Sequence, residues 1–168
     1  MVDRENDNQE VTRAPTREDL VRLARLLNDA GARYIIIGGM AMIELGLRRT
    51  TMDVDLLIDD SEENVKRVCD VLVALLVDKA ASEVEPGDVR QYTVVRVNDE
   101  ITVDLMGKAC GIDFAAAQAG IQKVDMDGIS IPFASPELLL KMKQTPREKD
   151  ALDRAFLQRL LEQKNNSR

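Results

Sequence analysis

Two aspartates one residue apart, Asp53 and Asp55, lie in the run Arg49-Thr50-Thr51-Met52-Asp53-Val54-Asp55-Leu56. On a β-strand both project to one face, with Val54 and Leu56 on the other. Carboxylates held side by side repel, which is costly unless a cation sits between them. A hard divalent ion with oxygen ligands, such as Mg²⁺, removes that cost. The simpler alternative is the polar, exposed face of an edge strand, although aspartate is disfavoured in strands. A third acid, Asp104, interrupts the apolar run Ile101–Met106. Ile101, Val103 and Leu105 share one face, the expected core side, and Asp104 takes the other. If this strand neighbours the first, all three acids converge. Taken alone, Asp104 reads equally well as a solvated strand residue.

Upstream, Tyr34-Ile35-Ile36-Ile37 runs into Gly38-Gly39. Paired glycines allow a tight turn and let backbone N–H groups approach an anion. A helix start there adds partial positive charge. The corner suits a phosphate, but a plain turn explains it as well. Arg48-Arg49 is a basic doublet close by, and Lys141 and Lys143 form another basic pair further on. Residues two apart on a helix are separated by about 200°, so only one of those lysines can face a phosphate.

Composition removes other chemistries. The chain has 168 residues and no histidine, which excludes Ser-His-Asp and Cys-His catalysis and most transition-metal sites. Cys69 and Cys110 lie far apart and outside any C-x-x-C pattern, so they read as reduced, buried thiols. A net charge of −7 argues against general nucleic-acid binding. No apolar run approaches the roughly 20 residues of a membrane span. These features fit a soluble, cytoplasmic chain.

The elements that must hold these residues are mixed, giving an α+β (mixed α/β) class. Thr16 and Asp19 make a capping-box start for a helix carrying Leu20, Leu23, Ala24 and Leu27, which Gly31 ends. Tyr34–Ile37 is a strand buried on both faces, and Met40–Leu45 a short helix. Asp53–Ile58 is the next strand. Ser61 caps a helix reaching about Asp78. Arg90–Val97 and Glu100–Met106 read as extended runs joined by a turn at Asn98-Asp99. Phe114–Ala119 is a short helix. Asp127-Gly128 joins Ile121–Met126 to Ile129–Phe133 as a hairpin. Ser135-Pro136-Glu137 opens another helix, and the last starts near Arg147, with Leu152, Phe156, Leu157, Leu160 and Leu161 as its expected buried stripe. The expected organisation is a disordered tail over residues 1–15, one domain over 16–163 and a frayed end over 164–168.

Gly-Gly, then Arg-x-Thr-x-Asp-x-Asp, then a lone Asp in an apolar strand resembles the DNA polymerase β-like nucleotidyltransferase superfamily. Thirteen residues, Met40 to Met52, separate the glycines from Asp53, which fits that family. The Gly-Gly-x-Ala form resembles small bacterial groups, namely abortive-infection, toxin–antitoxin and aminoglycoside nucleotidyltransferases. Leu139–Lys143, Arg147, Lys149-Asp150 and Asp153 resemble their tail helices. The chain departs from many toxin–antitoxin members, which carry a serine where Gly39 stands and a basic residue soon after.

The resemblance implies a nucleotidyltransferase fold, with a mixed central sheet flanked by helices and a helical C-terminus. It implies Gly38 and Gly39 at the triphosphate of an NTP such as ATP, and Asp53, Asp55 and Asp104 as catalytic metal ligands. Two Mg²⁺ ions are implied, with Mn²⁺ as a substitute, and Asp104 doubles as general base. Arg49, with Thr50 or Thr51, would steady the nucleotide or the start of the strand. Lys141 matches the family's lysine. The implied reaction places a nucleoside monophosphate on a hydroxyl of a protein, a tRNA end or a small molecule, in a toxin–antitoxin or phage-defence setting, with a partner protein. Without a sizeable C-terminal domain in the chain, polymerase and tRNA-maturation roles are not expected. The alternatives are a catalytically inactive nucleotide- or partner-binding module, and a structural domain whose aspartates are incidental.

Overall fold

The structure, a computed structural model, describes residues 12–168. Residues 1–11 of the expected tail lie outside the described residues. Residues 12–15 differ from that expectation, because they are tied to the body. The Thr12 hydroxyl donates to the Asp99 carbonyl at 2.9 Å, and the Arg13 N–H donates to the Glu100 carbonyl at 2.9 Å. The Arg13 guanidinium pairs with Asp19, whose carboxylate also closes the capping box with Thr16. That pairing holds Asp19 down at a pKa of about 2.

The first helix, α1 (Arg17–Asp29), buries Leu20, Leu23, Ala24 and Leu27 as its periodicity requires. Strand β1 (Tyr34–Ile37) is buried along its whole length. It passes directly into α2 (Gly38–Glu44), and β2 (Asp53–Ile58) follows. Helix α3 (Glu62–Leu75), capped by Ser61, ends three residues earlier than its apolar pattern suggests. A short helix α4 (Asp88–Gln91) takes up Arg90 and Gln91, which had read as extended. The strands β3 (Val95–Asn98) and β4 (Thr102–Met106) pair antiparallel.

Two minor strands, β5 (Lys108–Ala109) and β6 (Ile112–Asp113), form their own ladder around Cys110. Cys110 is exposed rather than buried, and only Cys69 is a core thiol. Helix α5 (Phe114–Ala117) leads to the hairpin of β7 (Ile121–Met126) and β8 (Ile129–Ala134). Asp127 and Gly128 both take positive φ, the backbone such a two-residue turn needs. The chain closes with α6 (Pro136–Met142) and α7 (Glu148–Asn166). None of the described helices is long and apolar enough to cross a membrane.

Six strands form one mixed sheet in the order β3-β4-β2-β1-β8-β7. At its centre β1 pairs antiparallel with β2, and β2 pairs parallel with β4. Helix α1 packs against α3 and β8, and α6 packs against α7 and β8. Ile35, Ile36, Leu56 and Leu57 are fully buried, so the core lies along β1 and β2. Burial of such side chains contributes about 2 kcal/mol each before conformational entropy is subtracted.

Helix α7 corrects one expectation. Its inward face carries Asp150, Asp153 and Leu157, while Leu152 is 69% exposed. Of the expected stripe, Leu157 is buried, Phe156, Leu160 and Leu161 are half-buried and Leu152 alone faces outward, while Asp150 and Asp153 turn inward.

Candidate active site

Strand β2 holds Asp53 and Asp55 on one face, as its period of two requires. Strand β4 lies beside it in parallel, with Asp55 in register with Asp104 and Asp53 with Thr102. Registered neighbours in a sheet point the same way, so Asp104 joins the other two. One oxygen from each of the three carboxylates lies within 4.8 Å of the others. Asp104 is only 4% exposed, which removes its reading as a solvated strand residue.

Such crowding has an electrostatic consequence. Burial, then the charges of Asp53 and Asp104, push the Asp55 carboxyl up to a pKa of about 7, against the opposing pull of Lys143 and a hydrogen bond from the Gly39 N–H. The charge is offset in part by Arg96 on β3, which stands opposite Asp104 in the antiparallel ladder. Its Nε and Nη2 donate to the two oxygens of Asp104 at 2.9 and 2.8 Å, and Nη2 also reaches Asp53 at 3.3 Å. An all-oxygen donor set that already draws a cation across two of its acids fits a hard divalent ion.

Gly38 and Gly39 begin α2 directly against these acids. Gly38 has φ +65°, and a Cβ there would lie 1.9 Å from Asp55 Oδ2. At Gly39 a Cβ would lie 2.5 Å from Thr51 Oγ1. Thr51 is buried, and its hydroxyl donates to the Asp53 carbonyl at 3.1 Å, fixing the start of β2.

A set of cations joined to α7 also borders the cleft. Lys143, just past the end of α6, is buried and sits 3.0 Å from Asp153 Oδ2 and 3.4 Å from Asp150 Oδ1. Arg49 reaches the other Asp153 oxygen at 2.7 Å. Burial works against ionisation of Asp150. Hydrogen bonds from Thr145 and Arg147, with the charges of Lys143 and Arg147, outweigh it and hold Asp150 below the usual carboxylate range. Arg154 donates to the carbonyls of Lys143 and Thr145, clasping the α6–α7 connection. The result is an open cleft of about 420 Å³, whose lining includes the three acids and Arg49, Arg96, Lys143, Arg147 and Lys149.

The cleft thus combines a carboxylate cluster with a set of Lys and Arg side chains. Residues 16–166 match the family described as "Nucleotidyl transferase of unknown function (DUF2204)". The chain belongs to this family. Among solved structures it is similar to a "putative nucleotidyltransferase", TM1012 of Thermotoga maritima, at 17% identity and a TM-score of 0.50, over 92% of this chain and 98% of that one. That likeness establishes the nucleotidyltransferase fold. No curated protein matches the chain.

Within this nucleotidyl transferase fold, the residues singled out in the sequence fall into two groups. Asp53, Asp55, Asp104, Gly38, Gly39 and Arg49 all line the cleft. Thr51 lies behind it, and Thr50 is exposed outside it. Lys141 is exposed on α6 and does not line the cleft, whereas Lys143 does. The two lysines do point apart, but the inward one is Lys143. It is buried against Asp150 and Asp153. Arg96 carried no signal in sequence, because its partner depends on strand register.

Proposed function

We propose that this chain transfers a nucleoside monophosphate from an NTP to a hydroxyl acceptor, with divalent metal held by Asp53, Asp55 and Asp104. One observation carries the reading: three acids from two strands converge within 4.8 Å, in a cleft that Arg49, Arg96, Lys143, Arg147 and Lys149 also line. Membership of a nucleotidyl transferase family supports it.

Mg²⁺ bound there would neutralise phosphate charge and acidify an acceptor hydroxyl. The chain's own residues then have distinct tasks. Asp53 and Asp55, side by side on β2, hold the cation. Gly38 and Gly39, lacking side chains, leave room for phosphate oxygens beside Asp55. Arg49, Lys143, Arg147 and Lys149 attract and orient the triphosphate, and positioning of this kind supplies much of the catalysis in phosphoryl chemistry. Asp104 takes the acceptor's proton as the acceptor oxygen bonds to the α-phosphorus and the bond to pyrophosphate breaks.

The acceptor class is a protein, a tRNA end or a small molecule. We place the reaction in the cytoplasm, in a toxin–antitoxin or phage-defence setting, on the strength of the sequence resemblance. An adjacent partner gene is the observation that tests that setting.

The decisive experiment incubates the protein with each labelled NTP and Mg²⁺ and follows pyrophosphate release. Turnover in wild type and none in an Asp53→Ala, Asp55→Ala double variant is the expected result. Equal behaviour of the two eliminates the enzymatic reading. Metal-dependent nucleotide binding without turnover identifies a binding module instead.

A further inference from the structure

Arg96 reaches the carboxylate cluster from an unusual direction. It stands on β3, the outermost strand of its side of the sheet, and its side chain is 56% exposed. Its target is the opposite in character, because the Asp104 side chain is only 6% exposed. The guanidinium uses Nε and Nη2 on both oxygens of Asp104 and extends Nη2 to Asp53. A fork–fork pair of this kind occupies both carboxylate oxygens in the plane where a metal ion would also bind. Arg96 therefore stands where two of the three candidate ligands would direct their charge. It is anchored by nothing else, since its only polar partners among the described residues are those two acids.

We propose that Arg96 is an exchangeable counter-cation, which neutralises Asp104 and Asp53 when no divalent ion is bound and swings toward solvent when one binds. The proposal rests on the reading that these acids hold a divalent ion. Three convergent carboxylates would strain an ion-free fold, and Arg96 relieves that repulsion without closing the site. Its exposed position lets it leave with no repacking of the core. The same exchange frees Asp104 to act on an acceptor hydroxyl, so one side chain both protects the empty site and delays its arming. Arg96 is thus a positioning residue and not a catalytic one.

The test measures Mn²⁺ binding by electron paramagnetic resonance, without nucleotide, in wild type, Arg96→Gln and Arg96→Lys. Thermal unfolding is recorded alongside, with and without the ion. Arg96→Gln should bind Mn²⁺ about tenfold more tightly, because a competing cation has been removed. It should also melt lower than wild type without the ion and show the larger ion-induced rise. Arg96→Lys keeps the charge but loses the fork, and should fall between the two.

Equal or weaker Mn²⁺ binding in Arg96→Gln overturns the exchange. So does an Arg96→Lys variant identical to wild type, which would mean that net charge alone sets the affinity. Absence of Mn²⁺ binding in all three proteins overturns the metal reading itself, and the exchange with it.

Discussion

Gly38 leaves no room for a side chain beside Asp55: a methyl group on the first would stand 1.9 Å from a carboxylate oxygen of the second. The φ of +65° at Gly38 independently disfavours any side chain. Gly38→Ala must therefore push Asp55 away from Asp104 or reshape the start of α2. The expected outcome is a loss of about 100-fold in pyrophosphate release, the usual consequence of a displacement near 1 Å at a reacting group. Steady-state turnover with saturating NTP checks it, and wild-type rates would contradict the packing argument.

Gly39 is constrained by a different neighbour. A Cβ there meets Thr51 Oγ1 at 2.5 Å and Thr51 Cβ at 2.9 Å. A serine side chain at this place would crowd Thr51. Gly39→Ser should destabilise the fold by about 1–3 kcal/mol through overpacking. Adding Thr51→Gly should restore part of that loss, and a urea denaturation series on the two variants reads it directly.

Asp55 makes ion-free stability depend on pH. In the folded protein it holds its proton up to about pH 7, far above its ordinary value of 3.8. Its folded pKa is raised, so its contribution is full at low pH and is lost as pH climbs through the folded value. Without metal, Asp55→Asn should match wild type near pH ~3.5, below the ordinary value, but exceed its Tm by about 5 °C near pH 8, the size of shift that ~1–2 kcal/mol produces in a domain of this length. Saturating Mg²⁺ should abolish the advantage. Differential scanning calorimetry at both pH values decides the matter, and a pH-independent difference would refute it.

Lys143 and Lys141 should separate cleanly in a stability assay. Lys143→Met leaves Asp150 and Asp153, both about 1% exposed, short of a cation. Removing one partner of a buried ion pair costs about 3 kcal/mol. Lys141→Ala, on the exposed side of α6, should change stability by less than about 0.5 kcal/mol. NTP affinity should follow the same order, weakened by the first substitution and not by the second.

Much of the architecture was legible because it rests on local rules. The Thr16 capping box, the positive-φ turn at Asp127-Gly128 and the buried β-branched run of β1 each follow from residue type and short spacing. So does the shared face of Asp53 and Asp55, since strand periodicity is a property of the backbone. Helix α7 resisted the same approach. Leu157 takes its expected inward place but Leu152 does not, and the helix turns Asp150 and Asp153 inward because Lys143, Arg49 and Arg147 pair with them there.

What the sequence determined by itself was the kind of chemistry: no histidine, a pair of acids on one strand face, and glycines placed to leave an open corner. Tertiary structure alone decided which groups meet. Asp104 joins the pair because β4 lies parallel to β2 with Asp104 level with Asp55. Arg96 meets Asp104 because the connection between β3 and β4 is Asp99–Ile101, where a two-residue turn at Asn98-Asp99 would have set Arg96 opposite Ile101. That loop is fixed from elsewhere, by backbone N–H groups of Asp78 and Ala80 donating to the Asp99 carboxylate. Register and long-range pairing are set by the sum of contacts across the sheet, and no window of neighbouring residues contains that sum.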